Sequence, residues 1–210
     1  MYVKFRRKSV EPSSEGGSTD EAGTAAAPVG PYDASDLPPG DGERVDLGSL
    51  LIGAVPGREL RLQVDERSGE VQAVLLTGED GALELRAFAA PRNDDLWSDL
   101  RPRIAAEMAQ RGGTASEREG RFGTELLCEL PVTRTDGQSA TQPSRIIGIT
   151  GDRWLLRATL LGRPAMEPDS DQAREWEDVI TTVAVRRGAG AVPPGEPLPV
   201  TMPESARRLA

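Results

Sequence analysis

Histidine is absent from this 210-residue chain, and cysteine occurs once, as Cys128. Without histidine there is no imidazole general base and no serine–histidine pair. The commonest nitrogen ligand for zinc, copper or iron is missing as well. A single cysteine excludes an intrachain disulfide, which suits a reducing cytoplasm. Cys128 falls in a strand-like stretch and reads as a small core residue; a reactive thiol would need a cation or a helix N-terminus beside it. No run of about 18 apolar residues exists to span a bilayer. The N-terminus, MYVKFRRKSVEPSSEGG, starts basic but has no apolar stretch behind it, so it does not read as a secretory signal. Neither a G-x-x-x-x-G-K-S/T phosphate loop nor a G-x-S-x-G nucleophile turn is present. Positive charge is in deficit too. The net charge of −9 repels phosphate backbones and anionic lipid.

What is there is mostly strand. Residues 144–162, SRIIGITGDRWLLRATLLG, predict a hairpin turning at Gly151 and Asp152. Its second strand sets Trp154, Leu156, Ala158 and Leu160 on one side, and Arg153, Leu155, Arg157 and Thr159 on the other. Residues 59–65, 70–77 and 82–89 alternate in the same way and are joined by short turns, which predicts an antiparallel meander. Residues 114–120 read as a polar edge strand and 124–132 as its partner, followed by a polar loop over 133–143. Residues 184–187 add a last short strand, and 45–57 pack along the edge of the core.

Two helices complete the pattern. Asn93, Asp94 and Asp95 offer caps to a helix with an apolar stripe of Leu96, Leu100, Ile104 and Met108. Pro102 interrupts it and predicts a kink, or else a helix that starts only near Arg101. Asp169, Ser170 or Asp171 caps a second helix, on which Trp176 reads as a core anchor. The fold class that follows is α+β. We expect a single domain over residues 43–187, a mainly antiparallel sheet of about six to eight strands with two amphipathic helices packed on it. Residues 1–42, acidic with a basic start, are expected to be a disordered tail. Residues 188–210, rich in glycine and proline, are expected to lie along the domain in extended form or to hang loose.

Three phrases carry a resemblance: VDLGSLLIGAVPGRELRLQVDE at 45–66, LRAFAAPRNDDLW at 85–97 and RIIGITGDRWLLRATLLG at 145–162. Together they resemble an uncharacterised actinobacterial family, a domain of unknown function. That resemblance implies a bacterial cytoplasmic protein and brings no reaction, ligand or catalytic residue. The order of elements is similar to that of the PsbP-like fold, in which an antiparallel sheet carries helices on its faces.

Candidate sites are few. Arg153 and Arg157 share a strand face and can receive a carboxylate or phosphate if no helix covers them. Lys4, Arg6, Arg7 and Lys8 form a basic cluster able to meet an acidic surface. The acidic groups at Glu79–Asp80, Asp94–Asp95 and Asp169/Asp171 sit at turns and helix starts, where carboxylates belong for structural reasons. The sequence therefore favours a non-enzymatic binding or adaptor domain for a protein or a small anionic partner, with no cofactor. The alternatives are a carboxylate and arginine enzyme, with or without a divalent metal, and a weak nucleic-acid binder acting through Lys4–Lys8.

Overall fold

The structure is a computed structural model and describes residues 2–4, 30–37, 43–92, 94–203 and 207–208. In chain order the elements are β1 (Tyr2–Lys4), β2 (Tyr32–Asp33), a 3-10 turn (Ala34–Asp36), β3 (Arg44–Asp46), β4 (Leu50–Gly53), β5 (Glu59–Val64), β6 (Val71–Thr77) and β7 (Gly81–Ala89). Then come α1 (Leu96–Gln110), β8 (Thr114–Gly120), β9 (Gly123–Thr133), β10 (Ser139–Gly151) and β11 (Trp154–Gly162). The chain closes with α2 (Arg163–Met166), α3 (Asp171–Thr181), β12 (Ala184–Val185) and β13 (Arg207–Arg208).

The described strands form two sheets. The larger has nine strands in the order β13-β1-β5-β6-β7-β11-β10-β9-β8, and all its neighbours are antiparallel. The sequence predicted six to eight; β1 and β13, from the two tails, extend the edge beyond β5. The smaller sheet, β2-β12-β4-β3, was not foreseen. Its central pair sets Ala184 against Leu51, and β2 joins parallel to β12.

Period-two alternation places the two cores. Trp154, Leu156, Ala158 and Leu160 of β11 bury with Leu83, Leu85 and Ala87 of β7 and with Trp176 and Ile180 of α3. Leu155, one residue out of step, belongs to a second cluster with Leu126, Cys128, Ile146 and Trp97. The clusters therefore lie on opposite faces of the sheet, one under α3 and the small sheet, the other under α1. A one-residue slip of β11 against β7 would exchange the faces and put Arg157 into the apolar core, so the register is strongly specified.

Several expectations change. Residues 30–37, assigned to the tail by composition, are folded onto the domain: Tyr32 N–H donates to Val183 O at 2.9 Å, and Trp154 Nε1–H donates to Asp33 Oδ2 at 3.0 Å. The polar segment 133–143 is mostly strand. Ser139 pairs with Thr133 and Pro143 with Glu129, and only a turn over 134–138 separates β9 from β10. The opening residues of β10 extend past the core, with Ser139, Thr141 and Gln142 polar and exposed, so they imitate a loop. Helix α1 is one element with Pro102 inside it. Proline has no N–H, so the Ser98 carbonyl loses its intrahelical partner.

The C-terminal extension packs along the domain. On its β6 side, the ladder of β7 stops at Leu85. Beyond that point Gly195 N–H donates to Ala89 O, Ala89 N–H to Glu196 O and Leu198 N–H to Ala87 O, all within 2.9 Å. Leu198 is buried there, and Val200 bridges to Val71 and Gly48. Of the basic cluster, Arg6, Arg7 and Lys8 lie outside the described residues. The backbone of Lys4 pairs with Arg61.

Candidate functional site

Asp95 starts α1 by accepting from the Trp97 backbone N–H at 3.1 Å. The Trp97 indole N–H then donates to Thr124 O at 2.7 Å and seats the ring over β10. Gly148 makes room for it: a methyl group at that position would fall 2.1 Å from the ring. From this anchor α1 runs against β8, β9 and β10. Strands β7 and β11 emerge at its rim, presenting Glu84, Arg86 and Phe88 beside Leu155, Arg157 and Thr159.

The register sets Arg86 directly opposite Arg157. Opposite residues on neighbouring strands have side chains about 5 Å apart at Cβ, and like charges there repel. One carboxylate serves both guanidinium groups. Glu84 Oε1 lies 3.0 Å from Arg86 Nε and 3.8 Å from Arg157 Nη2. The first contact pairs the charges but lies off the N–H direction. Arg86 Nε and Arg157 Nε are both buried and without a hydrogen-bond partner among the described residues. Phe88 supports the Arg157 guanidinium at 5.4 Å from its ring centre. Burial pushes the Arg157 pKa down and Arg86 pushes it further, against the pull of Glu84 and of Glu107 on α1. The side chains remain a quarter or more open to solvent, at 29% for Arg86 and 25% for Arg157.

Arg153 is not part of this group. It sits in the turn before β11 with φ 61° and is exposed. Residues in a turn do not obey strand alternation, so parity gave it the wrong neighbours. Arg86 is the residue the sequence reading missed. It was visible as the polar face of its own strand, but no local window shows which strand lies next to it.

A second charged cluster lies on the α3 side of the sheet. Arg145, 1% exposed, donates through Nε and Nη2 to the two oxygens of Glu125 at 2.8 Å each, and Nη2 also donates to Glu177 Oε1 on α3. Arg118 Nε lies 3.2 Å from Glu125 Oε1, and its Nη2 lies 2.8 Å from Asp169 Oδ1. Arg145 shares its face with Ile147 and Ile149, and Glu177 falls between Ala173 and Ile180 on the apolar stripe of α3. Charges in core positions were the signal for it. Each buried charge meets an opposite one, so the cluster pins α3 to β9 and β10.

A third feature is an open depression of about 620 Å³ between α3 and the β3–β4 hairpin, with Val55, Pro56 and Val179 among its lining and Glu175 and Asp178 at its wall. Both carboxylates have partners, Glu175 in Arg58 at 3.7 Å and Asp178 in Arg121 at 2.6 Å. Arg44 closes one side by donating to Thr182 O.

The acidic groups singled out in the sequence are dispersed. Asp80 accepts from Arg58 and from the Trp176 indole, Asp95 caps α1, Asp169 pairs with Arg118 and Asp171 with Arg174. Among the described residues no group of three or more His, Cys, Asp or Glu converges as a metal cage, and no helix is long and apolar enough to cross a membrane. Cys128 is buried, and burial pushes its thiol pKa up, away from the thiolate.

A family model described as "Protein of unknown function (DUF3710)" matches residues 30–208. The chain belongs to this family. The match to DUF3710 takes in the segment from residue 30 that composition had left outside the domain. No curated protein matches the chain. Among solved structures it is similar to cyanobacterial PsbP (CyanoP) from Synechocystis sp. PCC 6803, at 15% identity over 67% of this chain and 95% of that one, with a TM-score of 0.32.

Proposed function

We propose that this DUF3710 chain is a non-enzymatic binding domain of the actinobacterial cytoplasm, and that its contact surface is the sheet face around Arg86 and Arg157 at the rim of α1. The observation that carries this reading is the cross-strand guanidinium pair sharing a single carboxylate. A fold that needed those positions only for solubility gains nothing from two like charges face to face. An anionic partner turns the repulsion into two charge-assisted contacts. Glutamine at both positions keeps polarity and approximate size, so comparing wild type with Arg86→Gln/Arg157→Gln isolates the charge. Immobilised wild-type protein is expected to retain a component of actinobacterial lysate that the double variant does not. Equal retention by both proteins, or none by either, removes the reading.

A further inference from the structure

We propose that the Arg86–Arg157 pair is a receptor for a single phosphate group carried by a small molecule. This rests on the preceding reading of the face and goes beyond it by naming the ligand chemistry. Three observations support it. First, the two guanidinium groups lie side by side by register, and their side chains stay open to solvent, at 29% for Arg86 and 25% for Arg157. A guanidinium presents its donors as a planar fork, and one carboxylate oxygen pair saturates one fork. Glu84 illustrates the shortfall: its Oε1 reaches Arg86 at 3.0 Å and stands off from Arg157 at 3.8 Å. A phosphate monoester has three terminal oxygens and close to two negative charges, so it can engage both forks at once.

Second, the receptor is held in place. Phe88 lies beside the Arg157 guanidinium, and Leu155, fully buried two residues before Arg157 and opposite Phe88, anchors β11 there. Third, the surroundings favour a compact ligand. Glu84 and Glu107 flank the pair, and the chain as a whole carries −9. An extended polyanion such as a nucleic acid or an anionic bilayer would meet that field over many charges, whereas one phosphate meets it only at the pair.

The test is a titration of the full chain with inorganic phosphate and with glycerol phosphate, followed by backbone amide resonances. Saturable shifts centred on β7 and β11 are expected. Arg157→Gln should weaken binding at least about tenfold, as loss of a charge-assisted partner does. Glu84→Gln should tighten it, because a competing carboxylate is gone. Without phosphate, Arg157→Gln should melt close to wild type, since the repulsion it removes offsets the Phe88 and Glu84 contacts it loses. That separates loss of ligand from loss of fold. Shifts confined to other elements, no saturation, or a tighter Arg157→Gln variant overturns the proposal. So does a phosphoserine peptide that binds more than about tenfold tighter than inorganic phosphate, which would identify a protein source. If phosphate fails while the lysate component is still retained by wild type and lost from the double variant, the phosphate inference falls and the binding-face reading stands.

Discussion

Replacing Arg145 by methionine should be among the most damaging single changes in this protein. The guanidinium is 1% exposed and lies between Glu125, which is fully buried, and Glu177, which is 6% exposed. Methionine fills much of the volume and donates nothing. Two carboxylates then stay in the interior, Glu177 with Arg121 only at 4.0 Å and Glu125 with Arg118 at 3.2 Å. Removing one member of a buried ion cluster costs about 3–5 kcal/mol, most of it the penalty of stranding the partners. With a urea m-value of about 2 kcal/mol/M, a loss of about 4 kcal/mol lowers the unfolding midpoint by about 2 M. The triple variant Arg145→Met/Glu125→Met/Glu177→Met is the control. It removes every buried charge of the cluster and leaves Arg118 with Asp169 and Arg121 with Asp178. Apolar replacement of a whole buried cluster is often neutral or stabilising, so the triple variant should regain most of the loss. Urea unfolding followed by tryptophan fluorescence measures both. A single variant within about 1 kcal/mol of wild type, or a triple variant no better than the single, refutes the reasoning.

Two further outcomes follow from the packing. Leu198→Ala empties a buried site in the C-terminal strap and should cost about 2–5 kcal/mol. Faster amide exchange at Ala89, whose N–H donates to Glu196 O, would show that the strap has loosened, and unchanged exchange would place its hold elsewhere. At Asp33, burial raises the pKa, but the bonds from Ser35 and the Trp154 indole outweigh it and hold the carboxyl below 3.8. A carboxyl depressed by folding stabilises the fold above its unfolded value, and that contribution is lost as pH falls through the lower folded value. Asp33→Asn should therefore lose stability at neutral pH and show a flatter decline below pH 3.8 than wild type. Parallel stability curves for the two proteins would count against it.

The strands and helices were legible because their signal is local. Alternation in residues 82–89 and 154–162 marks core and solvent faces within a few residues, and the spacing of Leu96, Leu100, Ile104 and Met108 does the same for a helix. The edge position of β8 and the burial of Cys128 and Trp176 could likewise be read without coordinates, whereas each helix cap was narrowed only to three residues, from which the structure takes Asp95 and Ser170. The start of β10, polar where it leaves the core, carries no such signal and passed for a loop.

By itself, then, the sequence determined the apolar residues that turn inward and that two amphipathic helices must cover the antiparallel layer; the face each helix takes came from the structure. Tertiary structure alone decided the partners. Trp154 meets Asp33 across 121 positions of chain, and Arg145 meets Glu177 across 32. The two-residue strand β2 exists only because β12 arrives beside it. The same holds for Arg86 and Arg157. Each is an ordinary polar residue on the outward face of its strand, and only the pairing of β7 with β11 makes them neighbours. Side-chain alternation is a property of one strand, whereas proximity across strands depends on register, which depends on packing of the whole sheet.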